Sequence, residues 1–191
     1  AANNAIIIES FKGRIKDKVL VYSKGKNKRL LLWGLGDRKK TSNDNMRSSG
    51  ANIYNYANSL SLPSISLILN SFTLEKNDYC QSLIEGVLLG SYRFHGHGNS
   101  HDDTVKKTKK ILLLTEDLDP KKCNVSIDNA VAIAEGVSVA RDLGNEPANL
   151  CTPTYLSNLA EDIAKSKNMK SKIFDVKEFE KMNLGSFYGV A

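Results

Sequence analysis

Cysteine, histidine and long apolar runs are scarce in this chain, and each scarcity excludes a class of protein. The three cysteines, Cys80, Cys123 and Cys151, stand far apart, form no C-x-x-C and cannot all pair within one chain. A disulfide-stapled scaffold is excluded, and a reduced compartment is the simplest setting. Each cysteine lies beside or inside an apolar run, as a small buried hydrophobe does. Nothing approaches the ~20 apolar residues of a membrane span, and the first residues lack a basic stretch followed by an apolar run and a small-residue cleavage site. The expectation is a cytoplasmic protein with no membrane contact. No G-x-S-x-G, H-E-x-x-H or Walker sequence occurs, no histidine stands near a nucleophile in a structured segment, and no internal repeat is evident.

What is present is an ordinary globular composition, 41% hydrophobic and 25% charged over 191 residues, enough for one domain plus part of a second. The net charge of +6 permits contact with nucleic acid or acidic surfaces. The basic residues concentrate in Lys24–Arg29, Arg38–Lys40, Lys106–Lys110 and Lys121–Lys122, between predicted elements and without interleaved aromatics for base stacking. They read as solvated loops.

Short apolar runs bounded by polar or glycine-containing turns predict buried strands at Val19–Tyr22, Leu30–Trp33, Ile65–Leu69 and Ile111–Thr115. Asn45–Ser61 carries Ala51, Tyr54, Ala57 and Leu60 or Leu62 at helical spacing, and Asp78 is positioned to cap a second helix bearing Leu83, Val87 and either Leu88 or Gly90. Strands alternating with helices predict a three-layer α/β fold, a mixed sheet with helices on both faces and some parallel pairs. A further helix is expected from about Asn129 to Leu143, capped by Ser126 or Asp128, ended by Gly144, and apolar along Val131, Ala134, Val137, Val139 and Ala140. Thr152-Pro153 then caps a helix through about Lys167 with Leu156, Leu159, Ala160 and Ile163 inward. Lys172–Val176 and Gly185–Ala191 read as strands of a second, incomplete α/β unit whose apolar face would lack most of its partner. Residues 1–5, Thr41–Ser49 and Phe94–Lys110 read as loose segments or loops.

Three constellations are candidates for chemistry. His95-Gly96-His97-Gly98-Asn99-Ser100-His101-Asp102-Asp103 holds every histidine and two carboxylates, suitable zinc or copper ligands. A glycine-rich loop supplies neither converging geometry nor supporting partners, so adventitious binding is expected. Gly34-Leu35-Gly36-Asp37, after a strand, could offer backbone N–H groups to a phosphate, but it lacks the third glycine of a nucleotide fingerprint and reads as a tight turn. Asp142 and Glu146 read as fixing a connection and a helix end, with Arg141 as a candidate partner. No catalytic, cofactor or metal residue is assigned from these.

The segment Arg141-Asp142-Leu143-Gly144-Asn145-Glu146-Pro147-Ala148-Asn149-Leu150-Cys151-Thr152-Pro153 resembles the boundary motif of the leucyl aminopeptidase (cytosol aminopeptidase) family, R-D-L-x-N-x-P-x-N-x-x-T-P. Upstream, Glu85-Gly86-Val87-Leu88-Leu89-Gly90-Ser91-Tyr92-Arg93-Phe94 is similar to the family's E-G-x-x-L-x-x-Y-x-F, and Trp33-Gly34-Leu35-Gly36-Asp37 to its strand-ending G-L-G. Downstream, Lys177–Ala191 resembles K-E-L-x-x-L-x-M-G-x-x-x-x-V-A, so the likeness runs from about residue 19 to 191 in the family's order. The resemblance implies an amino-terminal domain similar to the macro fold (1–126), an interdomain helix and boundary (127–146), and the start of a metallopeptidase catalytic domain (147–191). It further implies a homo-hexameric enzyme that uses two divalent metal ions, zinc or manganese, to release amino-terminal residues from peptides, with its catalytic residues beyond Ala191. Two rivals remain: an ADP-ribose or nucleotide-binding module, by fold analogy and Gly34/Gly36, and a nucleic-acid-binding domain, by charge and because some bacterial members bind DNA through this region.

Overall fold

The computed structural model describes residues 11–22, 29–69, 79–96, 108–115 and 119–189. The chain divides into two units, one ending at Asp142 and one beginning at Leu143. Expectations that fall on residues 1–5, Asp78 and His97–Asp103 lie outside the described residues.

The first unit is mixed α/β. Strands β1 (Lys18–Tyr22) and β2 (Arg29–Trp33) pair antiparallel, Leu20 opposite Leu31. Helix α1 (Asn43–Ser59) follows, then β3 (Ser64–Leu69), α2 (Tyr79–Ser91) and β4 (Lys110–Thr115). β3 and β4 pair parallel with Ile65 opposite Ile111, so β3, α2 and β4 form the expected β-α-β crossover. All four strands fall where the apolar runs predict, each extended by one residue at its start. Their burial is less complete than expected. Ile65, Leu67, Ile111 and Leu113 turn inward, while Ile68, Leu112 and Leu114 are exposed on the other side of the pair.

Met46 of α1, Tyr79, Cys80, Leu83 and Ile84 of α2, and Ala130 of α3 (Pro120–Asn145) form the core. Leu67 of β3 and Leu113 of β4 pack against it. Cys80 and Cys123 are buried and Cys151 half-buried, and none of the three is in a disulfide.

Several element boundaries differ from expectation for local reasons. The Ser/Asn-rich stretch Thr41–Ser49, expected to be loose, is helical from Asn43. The Ser42 side chain caps it by accepting from the Asn45 N–H at 3.2 Å, and Met46 is buried one turn on. The helix turns off through Ser61 at φ +52°, where Leu62 N–H reaches the Ala57 carbonyl at 3.1 Å. This is the closure usually given to glycine. α3 begins at Pro120 instead of near Asn129. Proline suits the first helical position, and the Asp119 carboxylate accepts the Lys121 N–H at 2.9 Å, so Asp119 does the capping expected of Ser126 or Asp128. Gly144 does not stop α3, which runs on to Asn145. Its inward stripe is Cys123, Ser126, Ala130 and Ala134, while Val131, Val139 and Ala140 are exposed and Val137 is half-buried.

The second unit contains α4 (Pro153–Ser166), α5 (Val176–Lys181) and α6 (Gly185–Tyr188). Thr152 caps α4 as expected, accepting the Tyr155 N–H at 3.2 Å with Pro153 behind it. Of its apolar stripe, Leu159 is half-buried and Leu156, Ala160 and Ile163 are exposed, whereas Ala164 is buried. Neither strand expected here forms among the described residues. Lys172–Asp175 lies in neither helix nor strand, and Asp175 and Glu178 form a reciprocal capping box that turns Val176–Lys181 into helix. Gly185–Tyr188 is a single helical turn, with Phe187 against Phe179 at 5.5 Å between ring centroids. A strand needs a neighbour for its ladder, and among the described residues neither segment has one.

Candidate functional site

The segments singled out by motif are held together by three devices in the first unit. The first is the turn after β2. Gly34 N–H donates to the Asp17 carbonyl at 2.8 Å and Gly36 N–H to the Gly13 carbonyl at 2.9 Å. A side chain at Gly34 would collide with Arg14 and Gly13 backbone, and Gly36 sits at φ +80°, a conformation L side chains rarely adopt. Both N–H groups that a phosphate would need are therefore committed to the chain itself. Asp37 then accepts the Lys39 N–H at 2.9 Å and starts a single 3-10 turn, Arg38–Lys40. The expected tight turn is what the residues build.

The second device is the seam between α1 and α2, where two backbones touch. A Cβ on Gly86 would collide with the Arg47 carbonyl oxygen and stand 2.7 Å from its carbonyl carbon. One on Gly50 would meet Leu83 and Val87 backbone, and one on Gly90 would stand 2.9 Å from Ala51 Cα. Beside Gly86, the Glu85 carboxylate is only 3% exposed and takes Arg47 Nε at 2.8 Å and Gln81 Nε2 at 2.8 Å. Arg47 also reaches Asp44 at 2.6 Å. A buried carboxylate needs a cation and hydrogen bonds on its oxygens, and here both oxygens are served. The acid-glycine pair of the E-G-x-x-L-x-x-Y-x-F segment is thus a helix-packing unit.

The third device links that segment to the boundary motif. The Tyr92 hydroxyl donates to Asp142 Oδ1 at 2.7 Å, Arg141 Nη1 donates to the Leu89 carbonyl at 3.1 Å, and the Arg141 guanidinium lies 5.2 Å from the Tyr92 ring centre. Asp142, expected to fix a connection and a helix end, accepts the Tyr92 hydroxyl, and Arg141, expected beside Asp142 or Glu146, reaches Leu89 and the Tyr92 ring, on and just after α2. Alongside runs a cavity of about 550 Å³ floored by Leu88, Val131, Ala134 and Val139, with Glu135 and Asp142 among its polar lining. Further along the motif, Pro147 O accepts the N–H groups of Leu150 and Cys151, both at 2.9 Å, forming the turn that delivers Thr152 to cap α4. Among the described residues no group of three or more His, Cys, Asp or Glu side chains could hold a metal ion. His95 is described, while its companions His97 and His101 are not.

Sequence reasoning did not find Arg47, Gln81 or Tyr92 as partners of Glu85 and Asp142. Arg47 lies in a stretch read as loose, and a contact over 50 residues leaves no local period. The signal available was the spacing of Glu85, Gly86 and Tyr92 itself.

Residues 1–97 match the cytosol aminopeptidase family, N-terminal domain, and residues 138–191 match the cytosol aminopeptidase family, catalytic domain. A probable cytosol aminopeptidase from Sulfurihydrogenibium sp. is 30% identical over 193 residues, covering 99% of this chain and 38% of that protein. The structure of a tomato leucine aminopeptidase mutant superposes with a TM-score of 0.73 at 23% identity, covering 95% of this chain and 36% of that one. The bottromycin maturation enzyme BotP in complex with Mn superposes at 0.69 with 18% identity, over 91% of this chain and 36% of that one. A mixed α/β chain whose glycine seam and boundary clamp coincide with two family segments belongs to the cytosol aminopeptidase family. It spans less than two fifths of the length of the curated relatives it matches.

Proposed function

We propose that this chain is the amino-terminal region of a metal-dependent leucyl aminopeptidase, a cytoplasmic homo-hexamer that hydrolyses amino-terminal residues, leucine among them, from peptides. In this reading residues 1–126 are a structural domain, 127–146 the connecting helix and boundary, and 147–191 the first part of the catalytic domain. The 191 residues themselves are non-catalytic. The reading is carried by one observation: the two family segments match in order along one chain, residues 1–97 ahead of α3 and residues 138–191 beginning within it. The metal requirement is supported by the manganese complex among the structural neighbours. Two divalent ions, zinc or manganese, would lie on residues outside this stretch, where they would activate water.

The nucleotide-binding alternative is disfavoured by the committed N–H groups of Gly34 and Gly36. For the nucleic-acid alternative, the exposed basic residues Arg38, Lys39, Lys40, Lys121 and Lys122 are consistent with solvated helix starts. The test is release of leucine from a chromogenic amide by the purified chain after incubation with zinc, manganese or cobalt. No turnover is expected, and turnover that survives rigorous repurification refutes the non-catalytic assignment.

A further inference from the structure

The end of α3 is helical against its own local signals. Asp142 places a negative charge near the negative end of the helix, no basic residue occupies the last turn, and Gly144 is among the poorest helix formers. Gly136, two turns earlier, has open space around it and contributes no packing. On propensity alone the helix would fray well before Asn145.

α2 supplies contacts at this end of the helix. Three of its last carbonyls are taken by side chains: Leu88 O by Ser91 Oγ at 2.7 Å, Gly90 O by Arg93 at 3.3 Å, and Leu89 O by Arg141 at 3.1 Å. Arg141 therefore places a cation at the negative end of α2 while belonging to α3, and Tyr92 returns the connection by donating to Asp142 at 2.7 Å. Each helix end supplies what the other lacks: α2 receives a donor and a positive charge, and the carboxylate that disfavours the α3 terminus receives a proton donor.

We propose that Tyr92, Arg141 and Asp142 form a reciprocal clamp that holds the last turn of α3 helical and so sets the residue at which the first unit hands over to the second. The Tyr of the upstream family segment and the Arg-Asp of the boundary segment are the two halves of this one device. Its action is on the end of a helix, so it is independent of whether the parent protein is an aminopeptidase.

Hydrogen exchange of the whole chain, resolved by residue, tests it. In Tyr92→Phe the amides of 141–145 should exchange about three- to tenfold faster, the scale of one lost, partly exposed hydrogen bond, while those of 123–134 stay unchanged. Arg141→Leu should act on the same amides, and on those at the end of α2. In Tyr92→Phe/Arg141→Leu the combined effect should fall short of the product of the single effects if the two contacts act as one device. Unchanged exchange at 141–145 in both single variants overturns the proposal. So does a uniform rise along the whole of α3, because the contacts would then be holding the domain and not the turn.

Discussion

Replacing Gly86 by alanine should separate two helices that are in backbone contact. The added Cβ would stand 2.7 Å from Arg47 carbonyl carbon and 2.9 Å from its Cα, where ordinary contact begins at 3.4 Å. The opposing atoms are backbone and cannot swing aside, so α1 and α2 would move apart by at least about 0.7 Å at this turn. The same shift stretches the 2.8 Å Arg47–Glu85 bond one residue away. Overpacking of this kind costs about 3 kcal/mol at its upper end. Alanine returns about 1 kcal/mol of helix propensity, leaving a net loss of about 2 kcal/mol. With a urea m-value of roughly 2 kcal/mol/M, the unfolding midpoint should fall by about 1 M at unchanged m. The control is Gly136→Ala in α3, where nothing lies within 4 Å of the new methyl group. It should gain about 0.5–1 kcal/mol. If Gly86→Ala is as neutral or stabilising as Gly136→Ala, the glycine seam is not a packing contact and the account of the E-G-x-x-L-x-x-Y-x-F segment fails.

Glu85→Ala leaves Arg47 and Gln81 without their shared acceptor. Because the Arg47 side chain is 36% exposed and can turn to water, the loss should be about 2 kcal/mol, below the cost of breaking a fully buried pair. A calorimetric unfolding series including Glu85→Gln measures it, and equal stability of all three proteins contradicts the network. Ala134→Glu forces a carboxylate into a site only 6% exposed and should cost several kcal/mol in denaturant unfolding. Asp142→Ala, at an exposed position, should cost about 1 kcal/mol or less in the same assay. The reverse ranking would mean that the buried stripe of α3 is misassigned.

What the sequence reveals here follows the range of the interactions. Apolar runs of four or five residues locate the strands, because a buried strand is specified by its own composition and flanks. Thr152-Pro153 announces α4 because the cap and the first helical position are adjacent. The reading fails where closure depends on less specific residues. Ser61, Asn168 and Asn183 end three helices at positive φ where no glycine marks the stop. Asp119-Pro120 starts α3 well ahead of the Asn129 start that the apolar spacing predicts, because the acid caps and the proline fits the first helical position. The apparent strand Lys172–Val176 has β-favouring residues, but Asp175 and Glu178 complete a capping box while no neighbouring strand is present among the described residues. The candidate site was legible as motif and not as geometry. Glu85, Tyr92, Arg141 and Asp142 were marked by resemblance, but the pairing of Glu85 with Arg47, Tyr92 with Asp142 and Arg141 with Leu89 is set by tertiary contacts 38 to 52 residues apart.

The central claim is that these residues are the structural front of a metal-dependent aminopeptidase whose chemistry lies further along the chain. The most direct measurement compares leucine release from a chromogenic amide by this chain and by the same chain extended through the remainder of a family-length protein. Each is stripped with chelator and then resupplied with zinc or manganese. The account predicts no turnover from the 191-residue chain in any condition, and turnover from the extended protein that disappears on chelation and returns with metal. Equal activity of the two proteins, or activity of the extended protein that is indifferent to chelation, would contradict it.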